Sequence, residues 1–284
     1  MLGRITLALF FLLLVWGNLV AGMKAGLACP DWPLCHGRVL PPFRLDIWME
    51  FLHRVIAAVA SLFLLLLAAR RVMSYRGAAR AVPLAAVGIL ATEIVLGGMV
   101  VLLELPVRLT TLHFAMGVAI LLLVAFMAAF DGEKSPPAFS ARGYAGLFLA
   151  LALLFVSQAA LGAYVRHAGA GLACPDFPIC DGSWLPPLVT GGVIAHVSHR
   201  LLAYVIVLTL AVFQVATRID ARLAPYRRSA LALLVLGVAQ VGVGGAVVLS
   251  GLAWEATALH LAVALAIVLV IGGMWTAAVK GESA

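Results

Sequence analysis

Apolar residues in this chain do not alternate or recur every third or fourth position. They run almost unbroken in eight stretches, at roughly 5–22, 48–69, 82–103, 110–130, 143–164, 193–217, 229–249 and 256–279. Each is long enough for a helix to cross a hydrocarbon layer about 30 Å thick. A helix is the natural reading, because it satisfies its own backbone N–H and C=O groups where no water is present. The polar residues collect between the stretches. The pattern predicts an all-α integral membrane protein of eight transmembrane helices, with no soluble domain. The first stretch, ITLALFFLLLVWGNLVAG, follows Arg4 closely but is longer than a signal-peptide core and lacks a convincing A-x-A site, so it is expected to be a true first helix.

Composition agrees: of 284 residues, 64% are hydrophobic and 11% charged, far from the usual globular balance. The net charge of +7 points to nucleic acid only until its placement is considered. The connections after the second, fourth and sixth helices carry Arg70, Arg71, Arg76, Arg80, Lys134, Arg142, Arg218, Arg222, Arg227 and Arg228, and the termini add Arg4 and Lys280. The other side carries Lys24, Arg38, Arg44, Arg108 and Arg166. By the positive-inside rule both termini are expected in the cytoplasm of a multi-pass cell-membrane protein. The basic balance then reflects topology and calls for no nucleic-acid partner.

The chain also repeats itself. GLACPDWPLCHG at Gly26–Gly37 returns as GLACPDFPICDG at Gly171–Gly182, and Gly17 and the pair Pro41-Pro42 find counterparts in Gly162 and Pro186-Pro187. EFLHR at Glu50–Arg54 meets HVSHR at His196–Arg200, LGGMV at Leu96–Val100 meets VGGAV at Val243–Val247, and TTLH ending at His113 meets TALH ending at His260. An internal duplication of two tandem four-helix bundles is expected, of like orientation because each contains an even number of helices. The polar stretch DGEKSPPAFSAR suits a linker, which divides the chain into 1–135 and 136–284. All four cysteines fall in the outward loops. Cys29–Cys35 and Cys174–Cys180 disulfides are the natural reading there, with zinc binding or a redox-active thiol pair as alternatives.

Four of seven histidines lie at matched places early in even-numbered helices, at one expected depth: His53, His113, His199 and His260. An imidazole is costly against lipid and normally turns to the bundle interior. One alone would serve as an interhelical hydrogen-bonding group, but two on neighbouring helices at one level can fill both axial positions of a heme iron. Arg54 and Arg200 directly follow two of them and suit either heme propionates or the outer interface. Gly97-Gly98 and Gly244-Gly245 would admit a planar ligand or simply close helix packing. One turn before the first histidine of each half stands Glu50 in one copy and His196 in the other, so one site is equipped to exchange protons. Glu93 and Gln240 form a second asymmetric pair, for which a role at the site and simple packing on the opposite side of the bundle both stand as readings.

On GLACPDWPLC, E-x-x-H-R, H-x-x-H-R and the TTLH and TALH histidines, the chain resembles the heme A synthases, nearly end to end. The resemblance implies oxidation of a ring methyl of heme O to the formyl group of heme A. It implies a substrate site in the first half with His53, His113 and Glu50, and a heme b iron held by His199 and His260 in the second, acting as electron relay. It implies matching loop cysteines, a lipid-embedded groove for the farnesyl tail, and as neighbours the heme O synthase and cytochrome c oxidase assembly factors; a homo-oligomer is compatible with it. One departure stands out: the second half reads VRHAGAGL before its loop, whereas the first reads VAGMKAGL, with Ala21 opposite Arg166 and Lys24 displaced. Competing readings are a di-heme electron-transfer protein of the cytochrome b type, a quinone-linked thiol oxidase, and a transporter, the last disfavoured by few charges at mid-membrane depth.

Overall fold

A computed structural model of the chain describes residues 1–133, 143–184 and 186–282. Its long helices are α1 (Leu2–Gly22), α2 (Leu45–Ser74), α3 (Ala81–Leu102), α4 (Val107–Ala129), α5 (Gly143–His167), α6 (Gly191–Ile219), α7 (Arg227–Leu249) and α8 (Trp254–Glu282). All eight are long and apolar enough to cross a membrane, and no strand occurs among the described residues. The all-α, eight-span fold class expected from the apolar runs is therefore the observed one. Residues 134–142 of the expected linker, with Lys134 and Arg142, lie outside the described residues.

The helices overrun their apolar stretches because polar side chains find partners at the ends. α2 continues to Ser74, since Arg71 is buried there, ion-paired to Asp131 at 2.8 Å and donating to the Met127 carbonyl at 3.1 Å. Two short 3-10 turns, Gly77–Arg80 and Ala221–Tyr226, lead into α3 and α7.

The chain forms two compact units, Met1–Ser140 with Val279–Ala284, and Ala141–Ala278. In the first, α2 and α4 each pack against both α1 and α3; in the second, α6 packs between α5 and α7. Where lipid is as apolar as the helix surface, close packing of small residues rather than exclusion of water holds helices together. Gly3 illustrates it: a Cβ there would meet the Ala128 Cα at 2.9 Å, so α1 lies directly on the backbone of α4. On the other faces exposed side chains run in helical stripes, Val55, Val59, Leu62 and Leu66 on α2 and Leu201, Val205, Leu208 and Val212 on α6. In water such stripes would be an aggregation hazard; against acyl chains they are the natural surface.

The ends of α1 and α5 fix where the cysteine loops begin. Each closes with paired bonds that cap free helix carbonyls, Ala25 N–H to Val20 O (2.9 Å) with Lys24 N–H to Ala21 O (3.2 Å), and Ala170 N–H to Val165 O (2.9 Å) with Gly169 N–H to Arg166 O (3.1 Å). The motif needs a left-handed residue, which is glycine in the second unit (Gly169, φ 68°) but Lys24 in the first (φ 56°).

Candidate functional site

Each unit carries, at the same end of its helices, a disulfide-closed loop above a pair of helix-borne histidines. The loops are bridged Cys29–Cys35 and Cys174–Cys180, with Cα atoms 4.7 Å apart in both, and no cysteine is free. The sulfurs pair with each other, which leaves none to bind zinc; a redox-active pair would form the same bridge in its oxidised state. Beyond each bridge the chain reverses in a two-residue turn, His36-Gly37 (φ 57° and 67°) and Asp181-Gly182 (φ 51° and 72°). Two successive positive φ values are what a tight hairpin turn requires, which accounts for glycine at the second position. Asp31 stabilises the first turn, accepting from the His36 and Gly37 N–H groups at 2.6 and 2.7 Å, and Asp176 accepts from Asp181 and Gly182 at 2.8 and 2.9 Å. Those amides, Gly37 and Gly182 foremost, hold both carboxyls below the usual Asp range.

The loops are tied down by the arginines next to the histidines. Arg54 donates to the carbonyls of Asp31, Leu34 and Cys29, and Arg200 to those of Ile179 and Cys174. Both guanidinium groups expected to reach propionates thus direct N–H groups at loop backbone. Glu50 is 3% exposed; one oxygen accepts from Cys29 N–H at 2.7 Å and the other from Arg54 at 2.6 Å. Its counterpart His196 accepts from Cys174 N–H through Nδ1 at a longer 3.3 Å. The Glu/His difference therefore sits at one structural position, the latch on the first cysteine amide, and only the carboxylate version adds an ion pair.

His53 and His199 are each the ninth residue of their helix, and His113 and His260 each the seventh. In the second unit the structure brings the pair together: the His199 and His260 rings stand 6.4 Å apart, centroid to centroid, at 68°. Two nitrogen–iron bonds of about 2 Å plus two ring radii of about 1.1 Å give roughly 6 Å, so this spacing suits an iron between the rings. All four Nδ1 atoms are buried without a hydrogen-bond acceptor or donor, whereas each histidine as a residue remains partly exposed. Among the described residues no three His, Cys, Asp or Glu side chains converge on one point.

A glycine of the preceding helix backs every ring. A Cβ would meet the imidazole Cε1 at 3.0 Å on Gly17 (His53), 3.2 Å on Gly97 (His113), 2.8 Å on Gly162 (His199) and 3.1 Å on Gly244 (His260). The second glycine of each pair receives a loop aromatic instead, Gly98 under Trp32 and Gly245 under Phe177. The diglycines thus seat a histidine and a loop cap, so their smallness is used by the protein's own rings. Glu93 is placed differently from the packing reading: it lies one turn before Gly97 on the face toward His113, its Oε1 3.2 Å from Nδ1, and Gln240 lies likewise 3.3 Å from a His260 ring nitrogen. Sequence reasoning gave no role to Gly17, Gly162, Asp31, Asp176, Trp32 or Phe177, although all six fall at matched positions of the repeat.

The family model for cytochrome oxidase assembly proteins matches residues 1–271. Among curated relatives, the heme A synthase of Halalkalibacterium halodurans is 32% identical over 218 residues, covering 74% of this chain and 73% of its own. That of Symbiobacterium thermophilum is 33% identical over 250 residues, covering 84% and 81%, and that of Shouchella clausii 30% identical over 257 residues, covering 85% and 84%.

Proposed function

This chain belongs to the family of cytochrome oxidase assembly proteins that includes the heme A synthases, and from that premise we propose that it oxidises a ring methyl of heme O to the formyl group of heme A. The observation that carries the reading is the 6.4 Å spacing of the His199 and His260 rings, which suits a bis-histidine heme. In this reading those two residues hold heme b, whose iron supplies one-electron chemistry when bound. His53 and His113, seated on glycines in the same way, hold the substrate heme O in the first half. The two halves, 1–135 and 136–284, are copies of one ancestral unit with divided roles.

Glu50 is the group that distinguishes the substrate half. It stands one turn from His53 on the same helix face, and a carboxylate so close can accept protons in a net conversion of methyl and water to formyl, four protons and four electrons, the electrons leaving to an external acceptor. Arg54 and the Cys29 amide fix its two oxygens, which keeps the carboxylate oriented without a solvent shell. Arg54 and Arg200 act chiefly as clamps that hold the disulfide caps over the histidines. In this reading both termini lie in the cytoplasm and the caps on the outer side of the cell membrane, which the asymmetric Lys and Arg distribution supports. The heme O synthase and oxidase assembly factors are the fitting partners, since one supplies the substrate and the others consume the product.

The test is heme extraction and chromatography from cells that make heme O but not heme A, with and without this protein. Heme A is expected with the wild type, and unconverted heme O with Glu50→Gln. A plain di-heme electron-transfer protein would leave heme O unchanged in both.

A further inference from the structure

Glu93 is a half-buried acid that nothing above employs. It lies within α3, and its side chain is 15% exposed. One oxygen stands 3.2 Å from His113 Nδ1, off the line of a hydrogen bond, and the other is buried with no partner. Gly117, one turn beyond His113 on α4, leaves room for two side chains: a Cβ there would meet Leu14 Cδ2 at 2.9 Å and Glu93 Oε1 at 3.3 Å. At the matching sequence position in the second unit is Gln240, whose amide nitrogen stands 3.3 Å from His260 Nε2, the other ring nitrogen, with its own Oε1 unpartnered, and Ala264 replaces that glycine. An unpartnered carboxylate oxygen inside a membrane helix is costly, and the same niche filled by a neutral amide in the other unit shows that packing alone does not demand the acid.

The position of the pair defines what it does. With iron on His113 Nε2, Glu93 would face the other ring nitrogen, and a group there orients the imidazole and changes its strength as a ligand. A carboxylate beside the ring stabilises ferric iron by its charge; a neutral amide does so far less. Resting on the bis-histidine reading above, we propose that Glu93 is a positioning residue that lowers the reduction potential of the heme held by His113. The Glu93/Gln240 difference then makes the first-unit heme the harder of the two to reduce. Electrons taken from the first site run downhill to the second.

The test is spectroelectrochemistry of the purified full-length protein, its first site filled with added hemin. Each heme is assigned by the loss of its signal in His113→Ala or His260→Ala. Glu93→Gln is expected to shift the first-unit oxidised-to-reduced ratio at fixed potential by tenfold or more toward reduced, about 59 mV upward for one electron, leaving the second heme unmoved. Gln240→Glu is expected to shift the second heme the opposite way. Should Glu93→Gln fail to retain the first heme, Gln240→Glu decides, because it adds a carboxylate without removing one. Retained low-spin hemes with both midpoints unmoved, or both moved in one direction, would overturn the tuning role while leaving the heme sites standing. A first-unit signal that survives His113→Ala would instead sink the bis-histidine reading itself.

Discussion

Replacing Gly162 by alanine puts the glycine seats under direct test. The new Cβ would lie 2.8 Å from His199 Cε1 and 3.4 and 3.5 Å from the ring nitrogens, so the ring must withdraw by about 0.6 Å to reach ordinary contact. α5 and α6 are packed against each other, and the displacement therefore falls on the imidazole. Overpacking of this kind costs about 1–3 kcal/mol. Charged wholly to heme binding, at about 1.4 kcal/mol per tenfold, that is roughly a 5- to 150-fold loss of affinity. The fold itself should be little affected, because alanine stabilises a helix interior by about 0.5–1 kcal/mol over glycine. Gly242→Ala is the control, since a Cβ there meets nothing within 4 Å. The assay is hemin titration of heme-depleted protein, followed by the low-spin absorbance bands and paired with thermal unfolding. Wild-type affinity and an unchanged spectrum in Gly162→Ala would refute the argument that the glycine seats the ligand.

Arg200→Lys should loosen the second cap, because one ammonium cannot span the Ile179 and Cys174 carbonyls. A loss of about 2 kcal/mol is expected, read as roughly thirtyfold faster amide exchange in that loop. Changing Cys29 and Cys35 together to Ser opens a bridge with a sequence separation of 6 and should cost about 2 kcal/mol while heme is still bound; a thiol oxidase would lose all activity instead. The Asp31 carboxyl is held below its ordinary value of 3.8, chiefly by the Gly37 amide. Its contribution to the first turn is therefore complete above that value and lost as pH falls through the lower folded one. Exchange protection of the His36 and Gly37 amides should persist from pH 7 to 4 and fail only below, and loss between pH 6 and 5 would contradict this.

Run length alone made the eight helices legible, because a membrane forces the backbone to satisfy itself within each segment. Helix ends were harder: nothing in the apolar pattern says that Arg71 will be buried against Asp131 and carry α2 on to Ser74. The histidines stood out because a polar residue in an apolar run is conspicuous, and twice over when repeated. Gly17 and Gly162 were silent for the opposite reason. A glycine in a membrane helix has no side chain to betray what lies against it, and only the fold shows an imidazole there. Arg54 was legible as a charge beside a ligand but not in direction, since its carbonyl partners are brought near only by the closed loop. The side of the bundle that Glu93 faces was not legible because helical phase relative to a neighbouring helix depends on packing, which sequence spacing within α3 does not specify.

The most direct test of the account is anomalous-difference density at the iron edge, collected from crystals of the heme-loaded protein. The account predicts a peak between His199 and His260, about 2 Å from one nitrogen of each ring, and a second between His53 and His113 when the first site is filled. A peak elsewhere, or these rings turned away from the metal, would contradict it.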